Sequence, residues 1–264
     1  MDVTETNCVR TERHQTRIST LQSRHKTLLS VIKGNLASMR GASHATGSLR
    51  LILEKFDAAA DPDTDAEQVL RVCESLPSIM EELAHQACIA GISWEEDHIT
   101  FCDVTARVAH LQMITRQVSS KLEHTFRQTG PSILLTPCPH ETHLFGLQLL
   151  DLAFREAGWA VTRSGSKGEW PGDLLAQAHY DVVGLSLSSD GLVPHLRDEI
   201  TRLRRVSRNQ SLRVLVGGPC FDRGDADIGS VGADAYAPDA WSAPTVAEEI
   251  VHEEKLICAG ISIS

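Results

Sequence analysis

Ser132-Ile-Leu-Leu-Thr136, followed at once by Pro137-Cys-Pro-His-Glu-Thr-His-Leu-Phe-Gly146, divides the chain into two unlike halves. The first five residues are a short apolar run suited to a buried parallel strand, and Leu144, Leu147, Leu150 and Phe154 then recur at helical spacing up to Gly158. Strand, loop and helix start in this order open an α/β sheet, and such sheets place ligands in the loops at the carboxyl ends of their strands. This loop carries Glu141-x-His143-x-x-Gly146. The spacing sets a carboxylate two residues before an imidazole, and a glycine three residues after it lets a bulky planar ligand approach the backbone.

Downstream of Pro131 the pattern keeps alternating, which predicts a doubly wound parallel sheet. Strands are expected at Ser132–Thr136, Trp159–Arg163, Asp181–Leu187, Leu212–Val216 and Gly232–Tyr236. Helices are expected at His143–Ala157, near Pro171–Ala178, along Leu192, Leu196, Ile200 and Leu203, and from about Pro244 to Glu254. Five such strands make a flavodoxin-like half. The tail Leu256–Ser264 has β character and no evident place.

Upstream, the periodicity is helical. Residues 1–13 read as a flexible tail, 14–130 as a helical bundle, and 131–264 as the α/β domain, with Gly130-Pro131 as the linker. Within the bundle, helices are expected over His14–Met39, Ser48–Phe56, Ala66–Cys73 and Pro77–Ala90, with Gly91 as a C-cap. Ser93-Trp-Glu-Glu96 has the form of a capping box and starts a last helix running towards Phe126. In that register Trp94, His98, Phe101 and Thr105 share one face. Two readings of the face stand: a half-buried surface packed on its own bundle, or one that points Trp94 and His98 at a ligand held between the two halves.

The totals restrict the function classes. The net charge of −10 opposes a DNA-coating role for the whole molecule, but residues 1–50 hold eight Lys/Arg against three Asp/Glu, and the rest of the chain 17 against 32. The result is a +5 arm on a −15 body. Basic residues 10–50 are either a solvated helix face or a contact for DNA or an acidic partner. Seven cysteines with no C-x-x-C pair argue against a zinc ribbon or a thioredoxin-like centre, and fit a reducing cytoplasm. No membrane-spanning run and no secretory leader are read. Neither a G-x-G-x-x-G after a strand, a P-loop, a G-x-S-x-G nor an H-E-x-x-H occurs.

Glu141-x-His143-x-x-Gly146, Ser186-Leu-Ser188 and Gly217-Gly218, each at a strand's carboxyl end, resemble the motifs of cobalamin-binding domains. That resemblance covers residues 131 to about 254. It implies that His143 gives the lower axial cobalt bond, that Glu141 (more often Asp in the family) orients it, and that Ser186, Ser188, Gly217 and Gly218 line the slot for the cofactor's tail. Gly91-Ile-Ser-Trp-Glu-Glu-Asp97-His98 is similar to the helix of CarH-like cobalamin photoreceptors, which implies His98 as an upper ligand after photolysis. Asp97 stands where those proteins have Glu, and Cys88 where they have their capping Trp.

Over about residues 75–240 the chain resembles the AerR/PpaA antirepressors of photosynthetic bacteria and the carboxyl-terminal region of AppA. The likeness rests on Trp94-Glu-Glu-Asp97, Phe101-Cys-Asp-Val-Thr105, Leu111-Gln112, His143-x-x-Gly146, Ala157-Gly-Trp159, Asp181–Ser188, Ser207-Arg-Asn209 and Val214–Pro219. It implies a non-enzymatic, light-responsive regulator that binds adenosyl-, methyl- or hydroxocobalamin, with haem as the alternative cofactor. The implied partner is a CrtJ/PpsR-type repressor. A corrinoid methyl carrier has the same layout and is the competing expectation.

Overall fold

The computed structural model describes residues 62–72, 75–164, 170–188, 190–222, 224 and 226–258. The expected helices at 14–39 and 48–56 and the basic residues 10–50 lie outside these.

Among the described residues three helices come first: α1 (Pro62–Val72), α2 (Leu76–Glu95) and α3 (Phe101–Leu122), followed by a 3-10 turn at Glu123–Thr125. Ser75 caps α2, its hydroxyl accepting from the Ser78 N–H, with a proline in the first turn. Two expectations fail here. Gly91 is not a cap but a buried residue inside α2, which runs on to Glu95. The box at Ser93–Glu96 does not form, because those residues close α2. The capping box is Thr100–Asp103: the Thr100 hydroxyl accepts from the Asp103 N–H, and the Asp103 carboxylate accepts from the Thr100 N–H. Between the helices Asp97 takes the left-handed conformation, φ 57°, which ends the α-helical path. Trp94 and His98 therefore sit on a corner, not on one helical face with Phe101 and Thr105.

The second half is β1 (Ser132–Pro137), α4 (Phe145–Glu156), β2 (Ala160–Arg163), α5 (Pro171–Gln177), β3 (Val182–Ser186), α6 (Val193–Val206), β4 (Arg213–Gly217), two single-turn helices α7 (Pro219–Asp222) and α8 (Ile228–Val231), β5 (Ala235–Ala237) and α9 (Ala243–Cys258). Leu256–Cys258 thus complete α9 and are not β. All strands are parallel, in the order β2-β1-β3-β4-β5. β1 and β3, continuous apolar runs, are buried along nearly their whole length, as strands covered on both faces must be. Leu134, Val183 and Val214 face α5, α6 and α8, whereas Ile133, Leu135, Val182 and Leu215 face α4 and α9.

The chain leaves β1 for β2 on one side and returns to β3 on the other, so the switch in strand order opens a crevice at the carboxyl ends of β1 and β3. The helical layer closes over it. α1, α2 and α3 share one apolar cluster with Leu149, Leu152 and Ala153 of α4. The linker is pinned as well: the Thr129 and Gly130 N–H groups both donate to the Gly158 carbonyl, at 3.0 and 2.9 Å.

Candidate functional site

A cavity of about 400 Å³ lies between the helical layer and the carboxyl edge of the sheet. Its size is within the range of small-molecule and cofactor sites. Its floor is the ends of β3 and β4, with Gly184, Ser186, Gly217 and Gly218; one side is the β1–α4 loop and α4, with His143 and Gly146. The lining is predominantly apolar, including Leu135, Leu149, Leu150 and Phe154.

Glu141 is the anchor of the loop. Its side chain is almost wholly buried. One carboxylate oxygen accepts from the Thr142 and His143 N–H groups at 2.8 and 2.9 Å and lies 2.6 Å from His143 Nδ1. The other accepts from the Ser188 N–H at 2.7 Å. Burial by itself would raise this carboxyl. The hydrogen bonds from the His143 ring, the His143 N–H and the Ser188 N–H, with the His143 charge, outweigh it and hold the group at about 2. The resulting carboxylate ties the β1 loop to the end of β3 and fixes the His143 ring through Nδ1, so Nε2 is the nitrogen presented to a metal. Among the described residues no group of three or more His, Cys, Asp or Glu is arranged to hold a metal ion. A single oriented imidazole suits a metal already carried in a ring.

The second Glu141 oxygen is taken by the Ser188 backbone N–H, and Ser186 lines the cavity. His143, Gly146, Ser186, Ser188, Gly217 and Gly218 are all brought to one cavity. The glycines serve different ends. A Cβ on Gly146 would meet nothing within 4 Å, so the space beside it is open to a ligand. Gly218 has φ +106°, and a Cβ there would lie 2.4 Å from the Leu187 carbonyl oxygen; backbone packing requires this glycine, whatever fills the slot.

Trp94 and His98 do not line the cavity. His98 is about 70 % exposed, 3.5 Å from Glu96, and Trp94 packs against Phe101 with ring centroids 5.8 Å apart. The wall that the helices supply was missed: Ala84, Cys88 and Gly91 of α2, and Val104, Val108 and Gln112 of α3. The α2 set recurs at four- and three-residue spacing and the α3 set at four, a legible signal in which the small α2 residues carry little chemistry of their own. Trp241, beyond β5, completes the wall.

The fold is an α/β domain with a helical layer over its strand ends. Superposition on the monomethylamine corrinoid protein of Methanosarcina barkeri gives a TM-score of 0.59 at 18 % identity, covering 78 % of this chain and 98 % of that one. The two share a fold. A cobalamin-binding protein from Desulfitobacterium hafniense aligns at 15 % identity over 86 % of this chain and 98 % of its own, with a TM-score of 0.38. In sequence, the chain is similar to an uncharacterised 20.5 kDa protein of the bchF–crtJ intergenic region of Rhodobacter capsulatus: 23 % identical over 192 residues, 72 % of this chain and 93 % of that protein. No family model matches the chain. Among the described residues, no helix is long and apolar enough to cross a membrane.

Proposed function

We propose that the protein binds cobalamin in this cavity through His143, and that its ligand state controls a CrtJ/PpsR-type repressor. The carrying observation is the Glu141–His143 pair at the edge of an apolar cavity over the strand ends. The residues fit the group: one oriented imidazole, open space at Gly146, and a polar floor at Ser186 and Ser188 for the tail. When bound, cobalamin would supply a cobalt able to accept the His143 imidazole and a light-sensitive cobalt–carbon bond. The chain's own part is to orient His143 through Glu141, to exclude water with the α2 and α3 walls, and to transmit occupancy to its surface. The regulatory half of the reading draws support from the relative at the bchF–crtJ locus, beside the gene of a repressor of the type implied. It makes the protein a binding protein and not an enzyme.

The test is an absorption spectrum of protein mixed in the dark with adenosyl- or hydroxocobalamin and desalted, before and after illumination, beside His143→Ala. Retained bands that respond to light in the adenosyl sample and are lost in the variant support the reading. If no corrin survives desalting, cobalamin is excluded and haem is tried by the same route. His98 reaches a ligand here only if the α2–α3 corner moves; identical illuminated spectra for His98→Ala remove its role as upper ligand.

A second reading, a corrinoid methyl carrier, is favoured by the shared fold with the monomethylamine corrinoid protein. Methyl transfer from the loaded protein to an added methyltransferase's acceptor, without repressor binding, would select it.

A further inference from the structure

The corner between α2 and α3 is left unused by this reading, although it adjoins the cavity. Gly91 on one side and Val104 on the other both line the wall. The corner is closed by its own backbone: the His98 and Ile99 N–H groups donate to the Ser93 carbonyl at 2.8 and 3.2 Å, and the Asp97 N–H to the Trp94 carbonyl at 3.1 Å. The Thr100–Asp103 box fixes its far side. On this firm turn Phe101 is 65 % exposed, resting on Trp94. Glu96, Asp97 and Asp103 are exposed around it. Along α3 the exposed positions at four-residue spacing are Thr105, Ala109 and Met113, none charged, with Met113 43 % exposed. From Phe101 to Met113 is about 18 Å of helix. A rigid, solvent-facing aromatic heading an uncharged stripe marks a docking face. The three carboxylates beside it state the charge of what docks.

We propose that this corner receives the basic, DNA-contacting segment of the repressor, with an apolar side chain of that segment seated on Phe101 and Met113 and its Lys and Arg against Glu96, Asp97 and Asp103. The inference rests on the antirepressor reading and supplies its means. Proteins that hold DNA do so with cations set against phosphates, and an acidic face competes for the same cations. The −15 body draws a basic partner from a distance. Because the corner joins the two helices that wall the cavity, a ligand that changes their separation changes the docking face.

The experiment titrates a CrtJ-type repressor into the cobalamin-loaded full chain by calorimetry, with operator DNA as competitor. The variants are Phe101→Ala, Met113→Ser and the double variant Glu96→Gln/Asp97→Asn. Corrin retention after desalting is the control that each variant is folded. The expected result is binding that operator DNA abolishes, about 30-fold weaker in Phe101→Ala and weakened with a flatter salt dependence in the double variant. Wild-type binding that all three variants reproduce overturns this face and leaves the antirepressor reading standing. So does a complex that binds operator DNA undiminished. Absence of wild-type binding removes both.

Discussion

Glu141 and His143 lie 2.6 Å apart, carboxylate oxygen to Nδ1, while the second Glu141 oxygen holds the Ser188 N–H. One buried carboxylate thus sets both the imidazole and the distance between two strand ends. In Glu141→Gln an amide NH2 must face N–H donors. Cobalamin affinity is expected to fall about 10- to 100-fold by spectroscopic titration, the usual cost of losing an imidazole's supporting partner.

The same group links stability to pH. Its folded value of about 2 lies below the reference of 4.5, so its contribution is complete above about pH 4.5 and disappears as the pH falls towards 2. Urea unfolding of wild type and Glu141→Gln should differ most near neutrality and converge in acid. A difference that is constant with pH would contradict the assignment.

The glycines of the site should separate under alanine substitution. Gly218→Ala places a side chain against the Leu187 carbonyl at a positive φ and is expected to cost on the order of 3 kcal/mol. Gly146→Ala, in the first turn of α4 with open space around it, should leave stability unchanged or raise it by up to about 1 kcal/mol while weakening ligand uptake. Thermal unfolding and corrin titration together distinguish the two.

Helix capping offers an independent check of the register. Thr100→Ala should cost about 1 kcal/mol and lower Tm by about 2–4 °C, whereas Ser93→Ala, inside the last turn of α2, should not show the loss of a cap.

Thiol reactivity follows burial. Burial pushes Cys88 to about 11; burial, with the nearby Glu141 and Glu199 charges, pushes Cys138 to about 12. Among Cys88, Cys102, Cys138 and Cys220 the exposed Cys102 should be alkylated first at pH 8, and Cys88 should become slower still when the cavity is filled. Peptide mapping after timed iodoacetamide treatment reads this directly.

The sheet was legible because its central strands β1, β3 and β4 are largely apolar runs, although β2 carries Thr162 and Arg163. Periodicity placed β1 to β4 within about a residue and began β5 three residues early, and the motifs resembling cobalamin-binding domains singled out His143, Gly146, Ser186 and Gly217 at the strand ends. The corner was not legible, because Ser93-x-x-Glu96 and Thr100-x-x-Asp103 have the same form and only tertiary packing selects between them. Nor was the second partner of Glu141: a backbone N–H exists at every position except proline and leaves no mark in the sequence. The α2 wall escaped for the opposite reason, since Ala84, Cys88 and Gly91 contribute by what they lack.

Leu149 belongs at once to the cavity lining and to the apolar cluster that fastens the helical layer to α4. Receiver and transmitter are therefore the same side chain. A ligand that displaces Leu149 by a fraction of an ångström must be answered by the helices packed behind it, because a close-packed interior has no slack to absorb the shift. No hinge is needed for occupancy to be felt at the far surface.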